Sequence, residues 1–363
     1  MTAKPAIRAE AERLFALFRA AGALPVDADI LLPAETLLDL YGEDIRARAY
    51  VTHDPIRGEM MLRPDFTVPV VQAHMTGGAD PARYCYLGEV FRSQDHLGDR
   101  PSEYLQVGFE IFDRSAPEQA DAEVFALFHQ ALQPLILTTV TGDIGILMAA
   151  IRGLDTTDRR KAALLRHIWR PKRFRALLDR FAGRAPLPAA RVQLLDHLAS
   201  GALDQLIAAT GPLIGLRSAE EIAERSVALL EDARTPPISA LESAMLYDLL
   251  GLETNAAAAL THLRGISRHL PAITPAVDRF GARLDALSVR GIAPALLPFV
   301  ASHGRSAMEY YDGFVFTFLA GDDPVASGGR YDALTAVLGQ GRSIPAVGGI
   351  IRPHLVAALK GAA

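Results

Sequence analysis

Charged side chains interrupt β-prone segments in the first third of the chain. Arg63 and Asp65 follow one short apolar run, Glu89 and Arg92 flank another, and Glu110 lies inside a third. A charge within a central strand is costly unless it pairs with an opposite charge or meets a ligand. The pattern therefore indicates either an ion-pair network inside a sheet or a binding site for a charged small molecule, and it does not decide between them.

Signatures of the common catalytic and cofactor chemistries are missing from the sequence. It contains no Walker A loop, no dinucleotide-binding glycine fingerprint, no His-Glu-x-x-His pair and no nucleophile elbow. The single cysteine, Cys85, can form neither an internal disulfide nor a thiolate cluster. His303 and His354 are isolated, and an isolated histidine is more often structural than catalytic. We expect no catalytic residue, no metal site and no cofactor.

The composition is that of an ordinary globular protein. Half of the 363 residues are hydrophobic, 22% are charged and the formal net charge is −5. These values exclude a disordered or disulfide-based chain and argue against a dedicated nucleic-acid binder. The most apolar stretch, 135–151, contains Asp143 and falls short of the ~20 apolar residues that a membrane helix needs. Because the N-terminal residues also lack an apolar signal sequence, we expect a cytoplasmic protein without a membrane span.

Periodicity divides the chain into three parts. Residues 1–151 open with an amphipathic helix, continue with short strands over 49–113 that predict an antiparallel sheet, and end with a helix and a strand over 136–146. Residues 152–270 lack strand signals and are rich in Ala, Leu, Arg and Glu, which predicts an inserted helical domain. Residues 271–363 return to strands and complete the sheet. The predicted fold class is α+β.

Positive charge is concentrated at the start of the predicted insertion. Residues 152–184 contain 11 Arg or Lys against three Asp, a local charge of +8, so the rest of the chain carries −13. Solvated faces of packed helices explain such a run. A docking surface for an acidic partner is the alternative.

Five short segments of the two outer parts together resemble the catalytic core of histidyl-tRNA synthetase. Their order and spacing match over most of residues 1–150 and 275–363. The resemblance implies a class II aminoacyl-tRNA synthetase-like antiparallel sheet flanked by helices, usually in a dimer, with an insertion where the helical domain is predicted. The five segments are Leu62–Thr67, Phe91–Arg92 with Gln106 and Glu110, Glu309–Tyr311, Gly328–Asp332 and Pro345–Gly348.

Three departures from the synthetase pattern bear on function. Ser306 occupies the position of an arginine that assists amino-acid activation in the synthetase, and Arg305 is displaced from it by one residue. Leu355 occupies the position of an arginine that clamps ATP, and the chain ends eight residues later, where a synthetase continues into an anticodon-binding domain. One missing transition-state donor typically lowers a rate by ~10²–10³. We therefore expect no aminoacyl-adenylate chemistry, no anticodon-binding domain and no tRNA binding.

These departures are typical of the regulatory subunit of short-form ATP phosphoribosyltransferase, which acts at the first step of histidine biosynthesis. The resemblance implies a non-catalytic chain that is itself a homodimer. It binds a short catalytic subunit in a hetero-oligomer, activates that subunit and senses histidine for feedback inhibition. Two alternatives remain: an active histidyl-tRNA synthetase, and a synthetase-like enzyme that activates an amino acid for an acceptor other than tRNA.

The resemblance also implies a histidine-binding site in the synthetase-like core. By motif position, Asp65, Gln106 and Glu110 contact the α-ammonium group, with Thr67 beside them. Arg92 pairs with the α-carboxylate, because a guanidinium fork suits a planar anion.

Two tyrosines complete the implied site. Tyr311 and Tyr331 enclose or hydrogen-bond the imidazole. Asp65 departs from the family, which usually has the longer glutamate at that position. Three arginines near the motifs are assigned to a loop or to bracing of the sheet and stay outside the site: Arg63, Arg100 and Arg330.

Overall fold

The chain folds into two compact units. The computed structural model describes residues 4–41, 49–94, 101–209, 217–305 and 310–362. The first unit comprises Met1–Met148 and Leu249–Ala363, and the second comprises Ala149–Asp248.

The first unit contains all twelve strands of the described residues and most of the long helices that cover them. Before the second unit its elements are α1 (Lys4–Ala20), β1 (Leu24–Pro25), β2 (Leu31–Pro33), α2 (Ala34–Tyr41), β3 (Val51–Asp54), β4 (Gly58–Leu62), α3 (Thr67–Gly77), β5 (Ala82–Phe91), β6 (Glu103–Phe112), α4 (Pro117–Leu132), β7 (Thr138–Asp143) and α5 (Ile144–Arg152).

The described part of the second unit is helical. Its elements are α6 (Asp158–Arg166), α7 (Pro171–Phe181), α8 (Ala189–Ala199), α9 (Leu203–Ala209), α10 (Ala219–Arg234) and α11 (Ala240–Gly251).

The chain then returns to the first unit. Two 3₁₀ turns, Pro271–Ile273 and Pro294–Leu296, interrupt this part. Its other elements are β8 (Glu253–Asn255), α12 (Ala256–Ser267), α13 (Thr274–Val289), β9 (Pro298–Val300), β10 (Phe314–Ala320), β11 (Asp323–Arg330), α14 (Asp332–Leu338), β12 (Ala346–Ile351) and α15 (Pro353–Ala362).

The end of the helical unit differs from the sequence prediction. Residues 249–270, which the prediction placed in the insertion, lie in the first unit, because β8 pairs with β9 at an edge of its large sheet. A strand of three residues is too short to show the alternating pattern by which strands are recognised in sequence.

One nine-stranded sheet dominates the first unit. Its order is β1-β5-β6-β12-β11-β10-β7-β9-β8, and neighbours are antiparallel except for β1 with β5 and β7 with β9. The predicted α+β sheet flanked by helices is thus confirmed. So is its completion by the end of the chain, because β12 inserts between β6 and β11.

Two details of the strand prediction were wrong. The segments predicted as one sheet over 49–113 belong to two sheets, because β3 and β4 pair with β2 in a separate three-stranded sheet. Pro64 follows β4, and a proline cannot donate a ladder hydrogen bond. The strand predicted over 136–146 ends at Asp143, after which α5 begins.

Aromatic side chains cover one face of the large sheet. Phe314, Phe316 and Phe318 alternate along β10, so they share a face. Their ring centroids lie 6.1, 5.5 and 5.4 Å from that of Phe125 in α4. On β6, Phe109 packs 5.3 Å from Phe18 of α1 on this same side. The next residue, Glu110, therefore points to the opposite face.

The first unit contains a buried ion-pair network, but its members are mostly not the charged residues that the sequence singled out. Arg283 of α13 pairs with Asp121 of α4 at 3.1 Å and with Asp143 at the end of β7 at 2.6 Å. Arg330 joins Asp121 at 2.7 Å. Arg63 donates to the carbonyl oxygens of Glu89, at 2.7 Å, and of Ala28.

None of the helices that the structure describes is long and apolar enough to cross a membrane.

Candidate functional site

All seven predicted site residues line one cavity of about 240 Å³ in the first unit, on the sheet face opposite the aromatic layer. They converge from six places in the chain: the loop after β4, the start of α3, the end of β5, strand β6, the segment before β10 and the residue after β11. The seven are Asp65, Thr67, Arg92, Gln106, Glu110, Tyr311 and Tyr331.

Glu110 is the centre of the hydrogen bonds in this cavity. Its carboxylate is buried and accepts hydrogen bonds from three hydroxyl groups. Tyr86 donates to Oε1 at 2.8 Å, Thr67 donates to the same oxygen at 3.4 Å, and Tyr331 donates to Oε2 at 2.6 Å. These donors fix the orientation of the carboxylate.

A glycine on the neighbouring strand makes room for this carboxylate. Gly348 of β12 lies directly opposite Glu110 in the antiparallel pairing. A Cβ atom on Gly348 would lie 1.4 Å from Glu110 Oε2 and 2.7 Å from the carbonyl oxygen of Phe109. The carboxylate therefore occupies space that only glycine leaves open.

Burial raises the pKa of the Glu110 carboxyl. The pKa of its carboxyl rises from 4.5 to about 7, chiefly through loss of solvation. The nearby charge of Asp65 also raises it, and the hydrogen bonds from Tyr331, Tyr86 and Thr67 lower it. The site therefore holds a carboxyl group that can change its charge near neutral pH.

We expect this carboxyl to make the stability of the chain depend on pH. Because its folded-state pKa of about 7 exceeds the ordinary 4.5, the native chain binds the proton more tightly than the unfolded chain between those values. Its contribution to stability is greatest below the unfolded pKa and is lost as pH rises through the folded one. The difference between the folded and unfolded pKa values corresponds to about 3 kcal/mol of unfolding free energy.

Glu110→Gln removes this ionisation. The difference in unfolding free energy between Glu110→Gln and the natural chain, measured in urea from about pH 5 to about pH 8, should shift in favour of the variant as pH rises. Asp312, whose pKa burial also raises to about 7, is present in both chains and cancels. Glu89→Gln, outside the cavity, is the control. A difference that stays constant over this range would contradict the expectation.

Positive charge enters the cavity from two arginines. Arg92, after β5, donates through Nε to the carbonyl oxygen of Pro64 at 3.1 Å. Arg352, after β12, donates to the carbonyl oxygen of Pro324 at 2.6 Å. Burial and the nearby charge of Arg92 lower the pKa of Arg352. No carboxylate of the described residues forms an ion pair with Arg352.

Arg352 and His303 are the site residues that sequence reasoning missed. Arg352 lies three residues before Leu355, where the sequence departs from the synthetase motif, and that departure was the available signal. His303 lacked a partner nearby in sequence; in the fold its Nε2 lies 2.9 Å from Oγ1 of Thr317, and burial lowers the pKa of its imidazole to about 4. His303 therefore presents a neutral ring to the cavity.

The other residues that the sequence singled out lie outside the cavity or outside the described residues. Leu355 lies in α15 and does not line the cavity. Arg305 is buried. Ser306 and Arg100 lie outside the described residues. Within the described ranges, no group of three or more His, Cys, Asp or Glu side chains could hold a metal ion.

The cavity can hold a small zwitterion. Asp65 and Glu110 supply carboxylates, whereas Arg92 and Arg352 supply guanidinium groups. Gln106 is buried, and its Oε1 accepts no hydrogen bond from any described residue. A buried acceptor without a partner costs about 1–3 kcal/mol, which a ligand donor would recover. An ammonium group and a carboxylate joined by a short linker complement this arrangement.

Comparison with known proteins defines the class of the fold. Residues 3–249 and 226–354 match the family model of histidyl-tRNA synthetase. The structure of an ATP phosphoribosyltransferase regulatory subunit/histidyl-tRNA synthetase from Bacillus halodurans C is similar with a TM-score of 0.68 and 21% identity, covering 98% of this chain and 79% of that one. Histidyl-tRNA synthetase from Nostoc sp. PCC 7120 gives 0.64 and 15%, covering 99% and 73%. The fold is that of class II, histidyl-tRNA synthetase-like proteins.

Sequence relatives narrow this class. The ATP phosphoribosyltransferase regulatory subunit of Mesorhizobium japonicum is 34% identical, with 99% of this chain and 98% of that protein covered. The protein of the same name from Allorhizobium ampelinum is 33% identical, with 91% and 92% covered. The chain belongs to the ATP phosphoribosyltransferase regulatory subunit family, which confirms the resemblance inferred from the motifs.

Proposed function

We propose that this chain is the regulatory, non-catalytic subunit of a short-form ATP phosphoribosyltransferase, in the first step of histidine biosynthesis. In this proposal it assembles as a homodimer with the catalytic subunit, activates that subunit and binds histidine as a feedback inhibitor, without binding tRNA. The observation that carries the proposal is the single cavity in which seven motif residues meet, with carboxylates and arginines facing the same space.

Histidine binding would use the charge pattern of the cavity. The α-ammonium group lies against Asp65, Gln106 and Glu110, because an ammonium donor satisfies both the carboxylates and the buried Oε1 of Gln106. The α-carboxylate pairs with Arg92, and Arg352 adds a second positive charge.

The imidazole of the ligand would lie among the tyrosines. Tyr311 and Tyr331 are both buried at the cavity. The hydroxyl of Tyr331 already donates to Glu110, so its ring rather than its hydroxyl would contact the ligand. Thr67 likewise acts by holding Glu110.

Regulation requires that histidine bind one conformation of the assembly more tightly than another, since equal affinity for both shifts nothing. Occupancy of the cavity would then favour an assembly in which the catalytic subunit is inhibited. Linkage requires the reverse effect as well: substrates that favour the active assembly weaken histidine binding by the same factor.

Turnover by the catalytic subunit tests this function. The short catalytic subunit from the same source should convert ATP and phosphoribosyl pyrophosphate at least about 10-fold faster with this chain than without it, and histidine should reverse the gain. Absence of any effect on turnover or on assembly would refute the regulatory role. The control is the same titration with histidinol, which lacks the carboxylate that Arg92 would bind.

Amino-acid activation is the second candidate, because the matched family model is that of a synthetase and the residues of the proposed amino-acid pocket line one cavity. Histidine-dependent exchange of pyrophosphate into ATP detects adenylate formation whatever the acceptor. We expect no exchange, because Leu355 replaces the arginine of the synthetase motif. Exchange at a rate typical of a synthetase would establish an enzyme instead.

A further inference from the structure

The second unit contains a cavity that the proposed function does not use. It measures about 180 Å³ and lies among α6, α7, α8 and α10. Five of its lining side chains are arginines and one is a carboxylate: Arg159, Arg160, Arg180, Arg191, Arg225 and Asp232. Since a guanidinium is always charged in proteins, the polar lining carries a large excess of positive charge.

Only part of this charge is compensated. Arg160 is buried and donates to Asp232 Oδ1 at 2.6 Å and to the carbonyl oxygens of Asp232 and Pro236 at 2.7 and 2.8 Å. Arg191 donates to Asp232 Oδ2 at 3.3 Å. Asp232 is thus shared between two arginines, and its two oxygens are both occupied.

Arg180 forms no ion pair with a described carboxylate, and the charge of Asp232 acts on it only from a longer distance. It lies over the ring of Phe181 at 4.7 Å and forms no hydrogen bond with any described residue. Its Nε is buried, as is that of Arg191, and neither donates a hydrogen bond to an acceptor of the described residues. Burial and the charges of Arg191 and Arg160 lower the pKa of Arg180. Buried donors and clustered like charges both favour an anion in this space.

We propose that this cavity binds a small phosphate-bearing anion. Phosphate oxygens accept two parallel hydrogen bonds from one guanidinium, so several arginines around one space suit a phosphate better than a lone carboxylate. At about 30 Å³ per water molecule the cavity holds roughly six waters. That volume fits a phosphate, a diphosphate or the phosphate tail of a nucleotide, and not a folded peptide segment.

The basic run over 152–184 does not by itself account for this site. Arg159, Arg160 and Arg180 belong to the run, whereas Arg191 and Arg225 come from α8 and α10. Folding brings the two groups to one cavity and leaves other arginines of the run, such as Arg175, on the exposed surface of α7 outside it.

Titration of the full-length chain with inorganic pyrophosphate tests the proposal. Calorimetry in chloride buffer of constant ionic strength should detect saturable binding. Arg180→Gln and Arg225→Gln should each weaken it at least about 10-fold, since each removes a charged donor from the cavity. Arg225 is exposed and forms no hydrogen bond to a described residue, so its replacement leaves folding unaffected. Arg175→Gln, on α7 outside the cavity, is the matched control and should change affinity less than about twofold.

Further ligands distinguish the source of the phosphate. ATP that binds more tightly than tripolyphosphate, with the same sensitivity to Arg180→Gln, supports a nucleotide ligand, and equal affinity supports free phosphates. Three results would overturn the proposal: no pyrophosphate binding, an equal loss in Arg175→Gln and Arg180→Gln, or equally tight binding of an oligoglutamate peptide.

Discussion

Replacement of Arg92 by alanine should abolish histidine binding while leaving the fold intact. In the proposed complex Arg92 pairs with the α-carboxylate of the ligand, and loss of one partner of a desolvated ion pair costs about 3 kcal/mol or more. That energy corresponds to a loss of affinity of about 100-fold. The fold should survive because Arg92 lies after the end of β5 rather than inside the core, and its Nε donates to the backbone oxygen of Pro64 at 3.1 Å.

Calorimetric titration with histidine and with histidinol measures this effect. Since histidinol lacks the carboxylate, the natural chain should prefer histidine strongly and Arg92→Ala should lose that preference. Arg114→Ala removes an exposed arginine whose ion pair with Asp80 spans 3.0 Å, and it serves as the control. Histidine binding retained by Arg92→Ala would show that the motif-based site is wrong.

Replacement of Gly348 by alanine should both destabilise the chain and destroy the site. The added Cβ would occupy the position of Glu110 Oε2 and approach the carbonyl oxygen of Phe109, which is backbone and cannot move freely. The carboxylate must leave its place and lose the hydrogen bond from Tyr331. Overpacking and a lost buried hydrogen bond together cost about 4 kcal/mol.

Chemical denaturation measures the loss of stability in Gly348→Ala, and histidine titration of the folded fraction measures the loss of binding. Gly265→Ala is the matched control, because a Cβ at this position of α12 meets nothing within 4 Å. An alanine there should raise stability by about 0.5–1 kcal/mol. Equal stability of Gly348→Ala and the natural chain would mean that Glu110 does not occupy the observed position.

Much of the synthetase-like core follows from local pattern. Alternation along β6 places Gln106 and Glu110 on one face and Phe109 on the other, as the structure has it. The five ordered motifs were enough to identify the family and to select seven residues that share one cavity. The histidine-binding role of those residues stays a prediction.

Other features could not be read from sequence because they depend on pairing between distant segments. The short strand β8 joins the sheet only through β9, more than forty residues later in the chain. In the second unit, the arginine run is visible in sequence, but the cavity it forms with Arg191 and Arg225 depends on how α8 and α10 pack against α6 and α7.

The residue types of the site follow from the sequence alone, and so does the shared face of Gln106 and Glu110 on β6, because side-chain direction in a strand repeats every two residues. The tertiary structure decided that Arg352 and His303 join the cavity and that Gly348 lies opposite Glu110. It also decided that burial raises the pKa of Glu110. These properties arise from strand register and loss of solvent, which are set by contacts between segments that are more than 190 residues apart.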